Sequence, residues 1–363
     1  MPLRLLVAIA AAVTVVLSGP FVGRINTALQ EALPGQHLAI IAAIVVLPVL
    51  VGILTAVVRI RDRRRLRYGA LTAAVSMALL YVVLMETIPT EQFHLTEYGV
   101  VTFLFYRAVA SRGDVTALLL PVCATLMAGM ADEWIQWLIP SRVGELRDVL
   151  LNGVGIVSGL LFGVGLHPPS SVRMPSEVSS RRVMAATAAA LVLTAGGFLQ
   201  SVHLGFEIAD PAIGTFRSRY SAQALAALAA DRAGRWTGPL PPAALISIED
   251  HYLSEATYHV QERNDRLGER DPRAAWKENL ILETYYRPVL DLAMPASRWA
   301  PEQRADVEAQ VGGAAIPYVS DAYPLPIYLW HRAWFWSVIA ALVGGLVALA
   351  RVRPSVRHLT ASV

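Results

Sequence analysis

Of the 363 residues only one is a cysteine, Cys123, and only one is a lysine, Lys277. A single thiol excludes an intrachain disulfide and any metal site built on several thiolates. Charge is scarce too: 16% of residues are Asp, Glu, Lys or Arg, against about 25% in an ordinary soluble domain. The chain has no internal repeat, no low-complexity tract and no phosphate-binding glycine loop. No arrangement of serine, cysteine or histidine nucleophiles stands out, which argues against covalent catalysis. What the sequence does have is apolar surface. Hydrophobic residues make up 55% of it, mean hydropathy is +0.47, and the apolar residues come in long uncharged runs. That pattern describes an integral membrane protein.

A spanning helix needs roughly 20 mostly apolar residues. Eight such runs are found, at about 4 to 20, 38 to 58, 69 to 88, 95 to 111, 115 to 138, 148 to 166, 183 to 201 and 331 to 350. Ser18-Gly19-Pro20 lacks the small-x-small pattern of a cleavage site, so the first run reads as a retained helix. The predicted fold class is all-α, a polytopic helical membrane protein with about eight transmembrane helices and a small helical extracytoplasmic domain.

Arginines set the orientation. Arg59, Arg61, Arg63, Arg64, Arg65 and Arg67 crowd the loop between the second and third runs. Arg107 and Arg112 follow the fourth run, Arg173, Arg181 and Arg182 the sixth, and Arg351, Arg353 and Arg357 the eighth. The alternate short loops carry only Arg24, Arg142 and Arg147. The positive-inside rule then puts both termini in the cytoplasm and the long polar insertion, residues 202–330, outside it. The formal net charge of +3 is thereby explained by topology, with no nucleic-acid partner implied.

Five segments follow: residues 1–79, N-terminal transmembrane helices; 80–166, a membrane core; 167–201, a cytoplasmic loop and seventh helix; 202–330, the extracytoplasmic domain; 331–363, the last helix and a cytoplasmic tail. The insertion holds seventeen acidic and twelve basic residues. Its apolar residues recur at helical spacing in Ala222 to Leu228, Tyr252 to Val260 and Leu280 to Leu290, which predicts a helical cap.

Ionisable groups inside spans are expensive and invite a role, and here they gather at the predicted outer face. Glu86 ends the third run, His94 and Glu97 open the fourth, Asp132, Glu133 and Gln136 close the fifth, and Asp148 and Asn152 open the sixth. Arg142, Glu145 and Arg147 lie in the short loop between the last two. Asp132 with Gln136, and Asp148 with Asn152, are i, i+4 pairs on one helix face. Trp134 and Trp137 stand where an interfacial aromatic belt is expected.

His94-x-x-Glu97-Tyr98, Asp132-Glu133-x-x-Gln136, Pro140-x-Arg142, Asp148 and Asn152-Gly153-x-Gly155-x-x-x-Gly159 together resemble the signature of the VanZ-like family of teicoplanin-resistance-type membrane proteins, over about residues 80 to 166. The resemblance implies a bacterial cytoplasmic membrane protein with a polar site, glycopeptide susceptibility as its phenotype, and no family-wide reaction. Membrane lipids and a lipid-linked envelope precursor are the partners it suggests.

The same polar residues admit two readings: a salt-bridged latch fixing three helices, or a functional site. Excess carboxylate favours a divalent cation, magnesium or calcium, held by Asp132, Glu133 and Asp148, with Glu97 and Asn152 as further oxygen donors. Arg142 offers a bidentate grip on a phosphate or carboxylate. The Gly155, Gly159 and Gly163 repeat reads as a helix-packing seam. In the insertion, His251, Glu255 and His259 follow at i, i+4 and i+8; the expected role is a solvated or interface-facing stripe, with zinc the alternative. A transporter is disfavoured because the charges stay at one face instead of crossing the midplane. Two functions remain: recognition or shielding of a lipid-linked envelope component, or a metal-dependent enzyme acting on a polyprenyl phosphate or phospholipid head group.

Overall fold

The computed structural model describes residues 2–84, 91–138, 146–175, 177–237, 251–311 and 318–351. The chain forms two compact units, one of Met1–Glu133, Leu146–Gly197 and Trp336–Val363, the other of Trp134–Glu145 and Phe198–Phe335.

The first unit is helical. It contains α1 (Pro2–Ala32), α2 (His37–Arg59), α3 (Arg64–Leu84), α4 (Glu91–Val109), most of α5 (Thr116–Trp137), α6 (Leu146–Leu166), α7 (Val178–Val202) up to Gly197, and α12 (Arg332–Arg351) from Trp336 on. Among the described residues six helices, α1, α3, α5, α6, α7 and α12, are long and apolar enough to cross a membrane. The protein is therefore membrane-embedded. The helices α2 and α4 stand where the second and fourth runs were read; α4 is not apolar enough to join the six, and α2 is left out of them because the count takes in the described residues alone. For α2 the described apolar stretch is Val49–Arg59. In α4 the residues Glu91, His94, Glu97 and Arg107 lower the hydropathy. Large apolar side chains such as Leu6, Leu50, Leu54, Leu80 and Leu349 are exposed along these helices, as a lipid-facing surface requires.

The middle of this unit is built on close backbone approach. A β-carbon on Gly155 would lie 2.7 Å from the Leu95 carbonyl oxygen, one on Gly163 2.6 Å from the Tyr106 ring, and one on Gly159 would run into the backbone of Gly99. Only glycine at all three positions lets α6 lie flush on α4, which is the small-residue packing the spacing predicted. At the other end of α6, Arg67 reaches across from α3. Its Nε donates to the Gly165 carbonyl at 2.9 Å and its Nη2 to Leu166 at 2.8 Å, while Nη1 pairs with Asp62 at 2.6 Å. A cation that satisfies terminal carbonyls of a helix also complements its dipole.

The second unit is helical with one departure from expectation. A hairpin, β1 (Phe206–Asp210) and β2 (Gly214–Ser218), pairs antiparallel from Phe206↔Ser218 to Asp210↔Gly214. The Asp210 carboxylate accepts from the Ala212 and Ile213 amides and closes the turn, which Gly214 leaves at φ 128, a conformation other residues avoid. Four helices follow: α8 (Ala222–Arg235), α9 (His251–Gly268), α10 (Pro272–Tyr285) and α11 (Pro301–Val311). Ser221 caps α8 through the Ala224 amide and Asp271 caps α10 through the Ala274 amide. The Leu280 to Leu290 run is not one helix: α10 stops at Tyr285 and a wide π turn, Val289–Ala293, takes over. Ile208, Phe216, Leu225, Tyr252, Ile281 and Leu282 form the core.

Candidate functional site

In the first unit, α4 carries His94, Glu97 and Tyr98 into the bundle. His94 and Tyr98 share a helix face, and their rings stack at 5.8 Å. The His94 Nδ1 lies 3.6 Å from Glu97 Oε2. The Tyr98 hydroxyl donates to Asp132 Oδ2 at 2.8 Å, so a side chain from α4 is tied to α5. Glu97 and Glu133 lie within electrostatic reach of the same hydroxyl. Asp132 and Glu133 are both buried.

Two further predicted residues lie on α6. Asp148 sits in its first turn, where the helix dipole favours an anion. Asn152, one turn on, is 1% exposed. A β-carbon on Gly129 of α5 would lie 3.4 Å from Tyr98 Cε1 and 3.5 Å from Asn152 Nδ2, so Gly129 makes room for both side chains at once. Among the described residues neither the oxygen nor the nitrogen of the Asn152 amide has a hydrogen-bond partner. An unmet buried amide costs about 1–3 kcal/mol, which marks this position as one where a polar ligand has something to gain.

The structure thus brings Glu97, Asp132, Glu133 and Asn152 around Tyr98 or its neighbour Gly129. Gln136, buried one turn beyond Asp132, belongs to the second unit. Arg142, Glu145 and Glu86 lie outside the described residues. Among the described residues no group of three or more His, Cys, Asp or Glu side chains is placed to hold a metal ion, and Asp132, Glu133 and Asp148 do not make a ready cation cage. Tyr98 was visible in the sequence only as a motif letter. Its i, i+4 relation to His94 was the signal that it shares their face.

The insertion's histidine stripe is inside the second unit, not solvated. His251 stacks on Trp137 with ring centroids 3.6 Å apart. Glu255 accepts hydrogen bonds from Ser218 Oγ at 2.6 Å, the Arg219 amide at 3.0 Å and the Tyr286 hydroxyl at 2.8 Å. The His259 Nδ1 meets Glu278 Oε2 at 2.6 Å, and the other Glu278 oxygen accepts from Tyr318. One helix face therefore serves three separate partners, and the zinc alternative finds no shared centre. Burial raises Glu255 above the usual carboxylate range despite its donors. Burial also acts upward on Glu278, but His259, Ser320 and Tyr318 outweigh it and hold that group below its ordinary value. Trp137, read as an interfacial belt residue, is instead buried; the Arg219 guanidinium lies 4.3 Å from its ring.

Compared with known proteins, the chain matches no family model, no curated protein and no solved structure.

Proposed function

We propose that this is a VanZ-like bacterial cytoplasmic-membrane protein that recognises or shields a lipid-linked component of the cell envelope. In this reading eight helices span the bilayer, both termini are cytoplasmic and residues 202–330 are extracytoplasmic. The polar group of His94, Glu97, Asp132, Glu133, Asp148 and Asn152, with Gln136 and Arg142, then faces the outer leaflet, where envelope precursors are displayed.

The observation that carries the reading is the Asn152 amide, enclosed beside Tyr98 with its donor and acceptor both unspent. A primary amide flanked by carboxylates suits a head group rich in hydroxyl and amide N–H donors, as a lipid-linked glycan or peptide is. Conversion of Asn152 to Leu, branched at the same carbon but apolar, removes the unmet polarity, so the folded protein is expected to be about as stable. Glycopeptide susceptibility and membrane precursor content of a deletion strain complemented with wild type or Asn152→Leu test the proposal. Wild type is expected to change both and the variant neither. Equal performance by the two proteins removes Asn152 from the reading, and no effect of wild type removes the reading itself.

The alternative is a metal-dependent enzyme acting on a polyprenyl phosphate or phospholipid head group. A melting temperature raised by magnesium or calcium in wild type, and not in Asp148→Asn, favours it over recognition.

A further inference from the structure

At the opposite end of α4 from the polar group lies a cavity of about 330 Å³ between α4 and α1, lined by Leu3, Arg4, Val7, Phe103, Leu104 and Arg107. Its chemistry is divided. Leu3 and Val7 are one helical turn apart on α1, and Phe103 and Leu104 supply the facing wall from α4, so four of the six lining residues are apolar. The other two are arginines, and no acid is among the lining residues. Neither Arg4 nor Arg107 makes a salt bridge among the described residues.

Arg107 is held in place. Its guanidinium carbon lies 5.9 Å from the Phe103 ring, and its Nη1 lies 2.6 Å from His167 Nε2. Because a guanidinium only donates, that His167 nitrogen is the acceptor and carries no proton. The preceding residue of α4, Tyr106, donates to the His167 carbonyl at 2.5 Å, fixing the loop that carries the ring. Burial and the positive fields of Arg107, Arg67 and Arg4 all keep His167 neutral. Three arginines thus converge on one uncharged imidazole with no nearby anion spent on Arg4 or Arg107.

We propose that this notch is a binding site for one anionic phospholipid, its phosphate between Arg4 and Arg107 and the start of an acyl chain against Leu3, Val7, Phe103 and Leu104. The volume fits a head group with adjoining chain and falls in the range of small-ligand pockets. The pairing of unneutralised guanidinium groups with an apolar wall at a helix end is the chemistry that selects an anionic lipid over a zwitterionic one. A soluble phosphate has no use for the apolar wall, and a zwitterionic lipid offers the arginines a phosphate already offset by its own ammonium group.

The test uses the full chain in detergent, with native mass spectrometry and melting temperature as readouts. Phosphatidylglycerol, phosphatidylcholine and inorganic phosphate are added in separate arms. Phosphatidylglycerol is expected to be retained and to raise the melting temperature. Arg4→Gln is expected to weaken retention about five-fold, the contribution of one arginine near an anionic surface. Arg4 makes no hydrogen bond among the described residues, so its replacement spares the fold. Arg107→Gln is expected to act at least as strongly. Equal retention of phosphatidylcholine, or full retention by Arg4→Gln, overturns the site. Stabilisation by inorganic phosphate to the same extent as by the lipid overturns the lipid and leaves a plain oxyanion site.

Discussion

The Tyr98 hydroxyl donates to Oδ2 of Asp132, a hydrogen bond between α4 and α5 made where Gly129 leaves space for it. Tyr98→Phe keeps the ring stacked on His94 and deletes only the donor. Loss of about 0.6–2 kcal/mol is expected, the range for a hydrogen bond between membrane helices. A fall in melting temperature of purified Tyr98→Phe, at unchanged expression, checks it. No fall shows that the bond adds nothing to the packed bundle.

The glycine seam makes a sharper prediction because a built-in control is available. Gly159→Val puts a side chain into the Gly99 backbone, and folded yield is expected to collapse. Gly153→Ala, six residues earlier on α6, meets nothing within 4 Å and is expected to fold like wild type. Size-exclusion profiles of the two variants in detergent decide it; equal profiles reject flush α4–α6 packing.

His251 predicts a pH response. Burial, aided by the Arg219 charge and opposed by a backbone hydrogen bond with Trp137, lowers its pKa from 6.5 to about 3. The unfolded chain therefore binds a proton below pH 6.5 that the folded chain refuses, and stability declines as pH falls from 6.5 towards 3. The expected loss by pH 5 is about 2 kcal/mol. In His251→Phe, which keeps an aromatic ring on Trp137, this part of the decline disappears. Identical drops in melting temperature between pH 7 and pH 5 for both proteins would falsify the assignment.

Membrane topology is tested by labelling. With Cys123 replaced, a cysteine at Arg64 is expected to resist an impermeant thiol reagent in intact cells, and one at Gln261, on the exposed face of α9, is expected to react. Reaction at both positions, or at neither, rejects the odd number of spans, five, that the proposed topology places between the basic loop and the domain.

Helix placement was legible because a bilayer demands long apolar runs, and helices stand at the runs, six of them long and apolar enough to cross a membrane among the described residues. The run for α4 is the instructive one. Glu97 and His94, the same residues that nominate a site, keep α4 from reading as a plain lipid-facing span. The hairpin went unread because each strand is only five residues long, and Ile208 and Phe216 are too few to display alternation. At the polar group, the identity of the acids was legible from cost alone, since ionisable residues within apolar spans are rare. Their partners were not. Tyr98 reaches Asp132 across 34 positions and Glu255 takes its donors from 31 to 37 residues away, distances over which spacing carries no information. The histidine stripe shows the limit: i, i+4 periodicity placed three side chains on one face and said nothing of the three different neighbours awaiting them.

Backbone laid against backbone at Gly155 and Gly159, and against the Tyr106 ring at Gly163, also restricts how the bundle can move. Sliding α6 along α4 by one residue would drive Ile156 or Leu160 into the space that only a hydrogen atom now fills, so shear between these helices is closed off. What remains is rotation of the pair as a single beam. The acids at one end of α4 and Arg107 at the other, ten residues and about 15 Å apart along the axis, are then fixed to the same rigid lever. A force applied at either end of α4 reaches the other without loss in a sliding joint.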